Sequence, residues 1–160
     1  MKWNASGNVL ISLDALERFV NDSSLHKSSK AIEYGGRRGA RCFVAEHVYP
    51  TKELQNLVLQ MFSKKNPTKE EFVRFFRTYN CICYIWHEED MKLNTLGLRS
   101  TLPKAALSSD VYSRYTQAGI NHIQTNFKDG RLLFKSLHQY RDEGLGCSDI
   151  SKILMEELVK

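Results

Sequence analysis

The chain has 160 residues, of which 42% are hydrophobic and 26% charged, and its formal net charge is +5. That length and balance suit a single globular domain over residues 1–160 with a core of its own, and they exclude a disordered chain. No apolar run approaches the roughly 20 residues that a membrane span needs, so no membrane association is expected.

The first segment, MKWNASGNVLISLDALERF, carries a short apolar patch soon interrupted by Asp14, Glu17 and Arg18. It does not read as a secretory signal, and a cytoplasmic location is expected. Leu13, Leu16, Phe19 and Val20 recur at helical spacing and predict a helix over about residues 12–21. The polar loop DSSLHKSSK follows. AIEYGGRRGARCFVAEHVYP then reads as two short extended segments around a Gly-rich basic turn, closed by Pro50, which cannot donate to a ladder. Lys27, Lys30, Arg37, Arg38 and Arg41 concentrate positive charge here, and such a patch favours phosphate binding through counterion release.

Leu54, Leu57, Val58, Met61 and Phe62 form one stripe of a second helix, with Thr51 available as its N-cap. Thr68 and Glu71 have capping-box spacing ahead of a third helix, whose Phe72, Phe75, Phe76 and Tyr79 share a face. Both stripes read as core packing. CICYIW is a buried strand. It runs directly into HEEDMKLNTLGL, a helix with Glu88, Glu89 and Asp90 in its first turn and Gly97 as its stop. SSDVYSRYTQAG predicts a short helix capped by Ser109 and stopped by Gly119, and two more helices follow, in RLLFKSLHQYRDEG and SDISKILMEELVK. The expected fold class is α+β, mostly helical, with a small two- to three-stranded sheet around residues 31–47 and 80–86.

Cys42, Cys81, Cys83 and Cys147 all sit in or beside apolar stretches and read as reduced, buried thiols. The Cys81-Ile82-Cys83 spacing sends both thiols to one face of a strand and is too short for a zinc pair, so no structural zinc site is expected.

One constellation could carry chemistry. The strand ending in Glu46-His47 is followed by Asn80, a second strand, and then His87, Asp90 and Asn94 at helical spacing on one face. Phosphodiester hydrolysis needs a base to activate water and a hard cation to stabilise developing charge; imidazole suits the first, and carboxylate and amide oxygens suit Mg²⁺ or Mn²⁺. This arrangement resembles the HNH, or ββα-metal, nucleases over about residues 38–97. The resemblance implies a metal-dependent endonuclease acting on DNA or RNA, with His47 as general base and Asn80 orienting it. It further implies Glu46, Asp90 and Asn94 as metal ligands, with Arg37, Arg38 and Arg41 contacting nucleic acid. The sequence departs from the family where Asp90 stands in place of a helical His, and where two helical stretches separate the strands. Each residue also has an ordinary role open to it. Glu46 could pair with Arg37 or Arg38 at a strand edge, His47 could bond the turn adjacent to it, and Asn80 could be a turn residue between helix and strand. Asp90 could be a first-turn anion and Asn94 a solvated helix position.

Two other readings stand beside the metal nuclease. In a metal-independent, ribonuclease-like toxin, Arg37, Arg41, Glu46, His47 and Tyr49 would supply acid, base and phosphate clamp. In a non-catalytic module that binds nucleic acid or a protein partner, as an inhibitor or accessory factor, Arg99, Lys104, Arg114, Tyr112 and Tyr115 would mix cations with aromatics in a partly exposed region. Half-buried helix packing is the other role open to the two tyrosines.

Overall fold

The computed structural model describes residues 8–22 and 43–156. The basic run from Lys27 to Arg41, the first of the two extended segments and Cys42 lie outside the described residues. The fold is α+β: seven helices and one four-stranded mixed sheet among the described residues. The strands are β1 (Leu10–Ser12), β2 (Phe43–His47), β3 (Ile82–Trp86) and β4 (His122–Gln124). The helices are α1 (Leu13–Asn21), α2 (Thr51–Lys64), α3 (Lys69–Tyr79), α4 (His87–Thr95), α5 (Ser113–Ala118), α6 (Gly130–Asp142) and α7 (Cys147–Glu156).

The strand order is β2-β3-β1-β4. β2 runs antiparallel to β3, with Glu46 opposite Cys83 and His47 opposite Ile82. β1 runs parallel to β3 and antiparallel to β4. Because side chains alternate across a strand, the sheet divides its residues between two cores. Ile11, Phe43 and Trp86 pack with Leu16 and Phe19 of α1, Phe134 and Leu137 of α6, and Ile150 and Leu154 of α7. Leu10, Cys83 and Ile85 pack on the other side with Leu54 of α2, Leu93 of α4 and Tyr115 of α5. The first core centres on an aromatic nest, in which the Phe43 ring centroid lies 5.3 Å from Trp86 and 5.4 Å from Phe134. Each such pair contributes about 0.5–1.5 kcal/mol beyond its area burial.

Local chemistry sets the element ends. The Thr68 hydroxyl accepts from the Glu71 N–H at 3.2 Å while the Glu71 carboxylate accepts from the Thr68 N–H at 2.9 Å, the reciprocal cap expected for α3. Ser12 caps α1, accepting from the Ala15 N–H at 3.0 Å. α2 differs from expectation: Pro50 is its N-cap, and Thr51 is the first helical residue, with no side-chain cap bond. α5 begins at Ser113 rather than near Ser109. The Asp110 carboxylate takes the Tyr112 N–H at 3.2 Å, a local turn that competes with helix. Gly119 ends α5 at φ 67°, a left-handed conformation that glycine adopts without steric cost. β1 and β4, three residues each, were not expected as strands. They extend the sheet beyond the two or three strands that the sequence predicts. No helix among the described residues is long and apolar enough to cross a membrane.

Candidate functional site

The end of β2 is held by a single buried side chain expected in a partly exposed region. Arg114 of α5 has no solvent exposure. Its Nε donates to the Val48 carbonyl at 2.7 Å, and its Nη1 to the carbonyls of Leu98 at 3.0 Å and Arg99 at 2.8 Å. Its Nη2 donates to Glu46 Oε1 at 2.8 Å. A guanidinium is costly to bury unless paired and hydrogen-bonded, and here the fixed fork meets one carboxylate and three carbonyls from two separate loops. Glu46, with 17% of its side chain exposed, is therefore the counter-ion of a core cation; Arg37 and Arg38, the partners expected for it, lie outside the described residues. Tyr115 is also fully buried, so the expected partly exposed cation–aromatic region loses two of its members to the core.

Glu46 and His47 do not converge. Glu46 lies with Cys83 on the face covered by α2, α4 and α5, and alternation sends the half-buried His47 to the opposite face with Ile82. On α4, Asp90 shares a stripe with the buried Leu93. Its Oδ1 is shielded from solvent and lacks a hydrogen-bond partner, while His87 and Asn94 are exposed. Asn80 caps the C-terminus of α3, its N–H donating to the Phe76 carbonyl at 2.8 Å, and it lines an apolar groove between α2 and α3 with Leu54, Val58 and Leu59. Among the described residues no group of three or more His, Cys, Asp or Glu side chains is placed to hold a metal ion. A divalent cation at Glu46 would meet a carboxylate whose Oε1 already accepts from the buried Arg114 guanidinium, which offsets its charge. Tyr49 is buried, its hydroxyl donating to the Ser108 carbonyl at 3.1 Å. Burial, with Tyr79 and Glu53 nearby, pushes its phenol above the usual value and away from acid catalysis at neutral pH. Arg37, Arg38 and Arg41 lie outside the described residues.

Glu89, not one of the candidate ligands, is the α4 carboxylate that the fold engages. One of its oxygens accepts from both the Ser12 hydroxyl and the Trp86 N–H. Burial raises its pKa, and those two hydrogen bonds offset part of the rise.

A second arrangement lies at the far edge of the sheet. Arg74 and Arg77 project from the face of α3 away from its aromatic stripe, and Lys128 reaches toward them from the segment after β4. With Asn8, Glu70, Val73, Thr78 and Gln124 they line an open cleft of about 590 Å³. Arg74, Arg77 and Lys128 are exposed and make no salt bridge among the described residues. Helical spacing of Arg74 and Arg77 opposite Phe72, Phe75 and Phe76 was visible in the sequence; Lys128 joins them only through tertiary packing. Arg114 carried no such signal, because a buried and an exposed arginine look alike between a tyrosine pair. In comparisons with known proteins, no family model, no curated protein and no solved structure matches this chain.

Proposed function

We propose that the protein is a nucleic-acid-binding module that engages the phosphate backbone without cleaving it. The convergence of Arg74, Arg77 and Lys128 on one cleft, each without a described carboxylate partner, carries this reading. Unpaired cations around a concavity raise the local concentration of anions, and each phosphate they neutralise releases condensed counterions. The net charge of +5 adds to that attraction. Fluorescence anisotropy with labelled DNA and RNA, at 50 and 200 mM NaCl, tests it. Binding that weakens steeply with salt and leaves the polymer intact is expected, and no binding at 50 mM overturns it.

A second reading, hydrolysis with His47 as base, is favoured by one observation. Arg114 grips the residues on either side of His47, through the Glu46 carboxylate and the Val48 carbonyl, and so fixes the backbone that presents the imidazole. Incubating the same polymers with Mg²⁺, Mn²⁺ or EDTA decides between the two. Cleavage that His47→Ala abolishes replaces the binding module with a nuclease, and its persistence in EDTA would make that nuclease metal-independent.

A further inference from the structure

We infer that the apolar groove between α2 and α3 seats one amphipathic helix of a partner protein, about three turns long, with carboxylates along its flanks. This groove is separate from the Arg74 cleft, and neither depends on the other. It holds about 540 Å³; Leu54, Val58, Leu59 and Phe76 line it, and its polar members, Thr51, Gln55 and Asn80, are all uncharged. The apolar surface continues past it. The Phe62 ring centroid lies 5.8 Å from Phe72, and that of Phe72 lies 5.9 Å from Phe76. Leu59 is 70% exposed, and Phe62, expected in the core, is 50% exposed. Isolated exposed apolar residues are ordinary, but a contiguous strip beside a hollow marks a place for a partner. From Thr51 to Phe62 the strip follows α2 for about 16 Å, three helical turns.

The walls and the charges specify the occupant. Both walls are helices, whose interior N–H and C=O groups bond within their own helix. An extended segment would find no backbone partner along its length there. A helix brings its own hydrogen bonds and presents side chains at i, i+4 and i+7 to the groove. Lys52 stands seven residues before Leu59, and Lys69 seven before Phe76, spacings that put each cation on the same face as a lining residue. Both lysines are exposed, and neither makes a salt bridge among the described residues. The carboxylates of the two helices turn elsewhere. Glu53 lines a hollow beside Tyr49, Glu70 lines the Arg74 cleft, and Glu71 accepts from Lys65 and Thr68. An apolar groove with a cation on each wall and no acid in its lining complements a helix with acidic flanks. A second copy of this chain would bring the same lysines against each other, and a flat lipid surface would leave the hollow unfilled.

The experiment titrates the full chain into a fluorescent peptide of about 18 residues, built from alanine, leucine and glutamate, with leucines at helical spacing along one stripe and glutamates on both sides of it. One control peptide has lysine for every glutamate, and another has a central proline that breaks the helix. The glutamate peptide is expected to bind, and both controls to bind about fivefold or more weakly. Leu59→Ala, altered at an exposed position, is expected to weaken the glutamate peptide about fivefold or more, as truncating an interface anchor does. Lys52→Gln/Lys69→Gln is expected to weaken it about two- to 25-fold, the range of two exposed ion pairs, and to tighten the lysine peptide. Binding of either control as tight as that of the glutamate peptide overturns the inference. Binding that both variants leave unchanged lies on another surface and also overturns it. So does absence of peptide binding; self-association of the chain, or adhesion to phosphatidylserine vesicles, that Leu59→Ala abolishes would then give the groove to a second copy or to a membrane. None of these outcomes bears on phosphate binding, which is read at Arg74 and Arg77.

Discussion

Replacing Arg114 with methionine strands Glu46 and the carbonyls of Val48, Leu98 and Arg99 in one step. Removing one partner of a buried ion pair leaves an uncompensated charge, so Arg114→Met should lower unfolding stability by about 3–5 kcal/mol, measured by urea titration. Adding Glu46→Leu should restore part of that loss, because the orphaned carboxylate goes as well. A strictly additive pair would show that the two side chains do not interact. Glu89 gives a prediction of opposite character. Its folded pKa lies above the unfolded value, so the native state binds its proton more tightly. The resulting stability is fully present below about pH 4.5 and is lost as pH rises through the folded value. Glu89→Gln keeps an oxygen to accept from Ser12 and Trp86 but cannot ionise. Its stability should match or exceed that of the unaltered protein at pH 7, with a flatter profile above pH 4.5 in thermal melts; a loss at neutral pH would mean the charged form is the one the fold prefers. These two residues also mark how far the site was legible. Glu46-His47 stood out in the sequence as an adjacent acid and base, but a strand separates neighbours onto opposite faces. Nothing in SRYTQA distinguishes a core guanidinium from a surface one.

The elements were more legible than their junctions. α3 was visible because capping box, aromatic stripe and length agree, and β3 because four β-formers and a cysteine run together. β1 and β4 were not, since three residues hold too little pattern to separate a strand from a loop; their pairing is decided by partners far along the chain. The junction between β4 and α6 offers a sharp test of close packing. A methyl group added at Gly130, the first residue of α6, would overlap the phenol ring of the half-buried Tyr84 in β3. Gly130→Ala should therefore destabilise by about 1–3 kcal/mol despite the helix preference for alanine, as overpacking outweighs propensity. Tyr84→Ala in the same chain should make the alanine tolerated, with thermal melting of the four variants as the measurement. At the start of α3, which is exposed, Thr68→Ala should cost about 1 kcal/mol by loss of one half of the reciprocal cap.

Across the molecule, stability is distributed unevenly. The sheet is covered on both faces, whereas α3 has no fully buried residue, and Leu59 and Phe62 on α2 are 70% and 50% exposed. Native-state hydrogen exchange should show the amides of α2 and α3 opening at lower free energy than those of β3, because the helical pair shields less apolar surface per residue. Uniform protection across both would instead mean that the pair unfolds only with the sheet. The order of the strands has a consequence in time. β1 lies inside the sheet, but its neighbours are Cys83 and Tyr84 on one side and residues 122–124 on the other. At roughly 5–20 residues per second of synthesis, Leu10 waits on the order of 6 to 20 seconds for the last of them to leave the ribosome. β2 and β3 can pair long before that, so β1, made before both of them, is enclosed after they have paired, and the nascent chain carries an unpaired Leu10-Ile11 edge until residues 122–124 have been made.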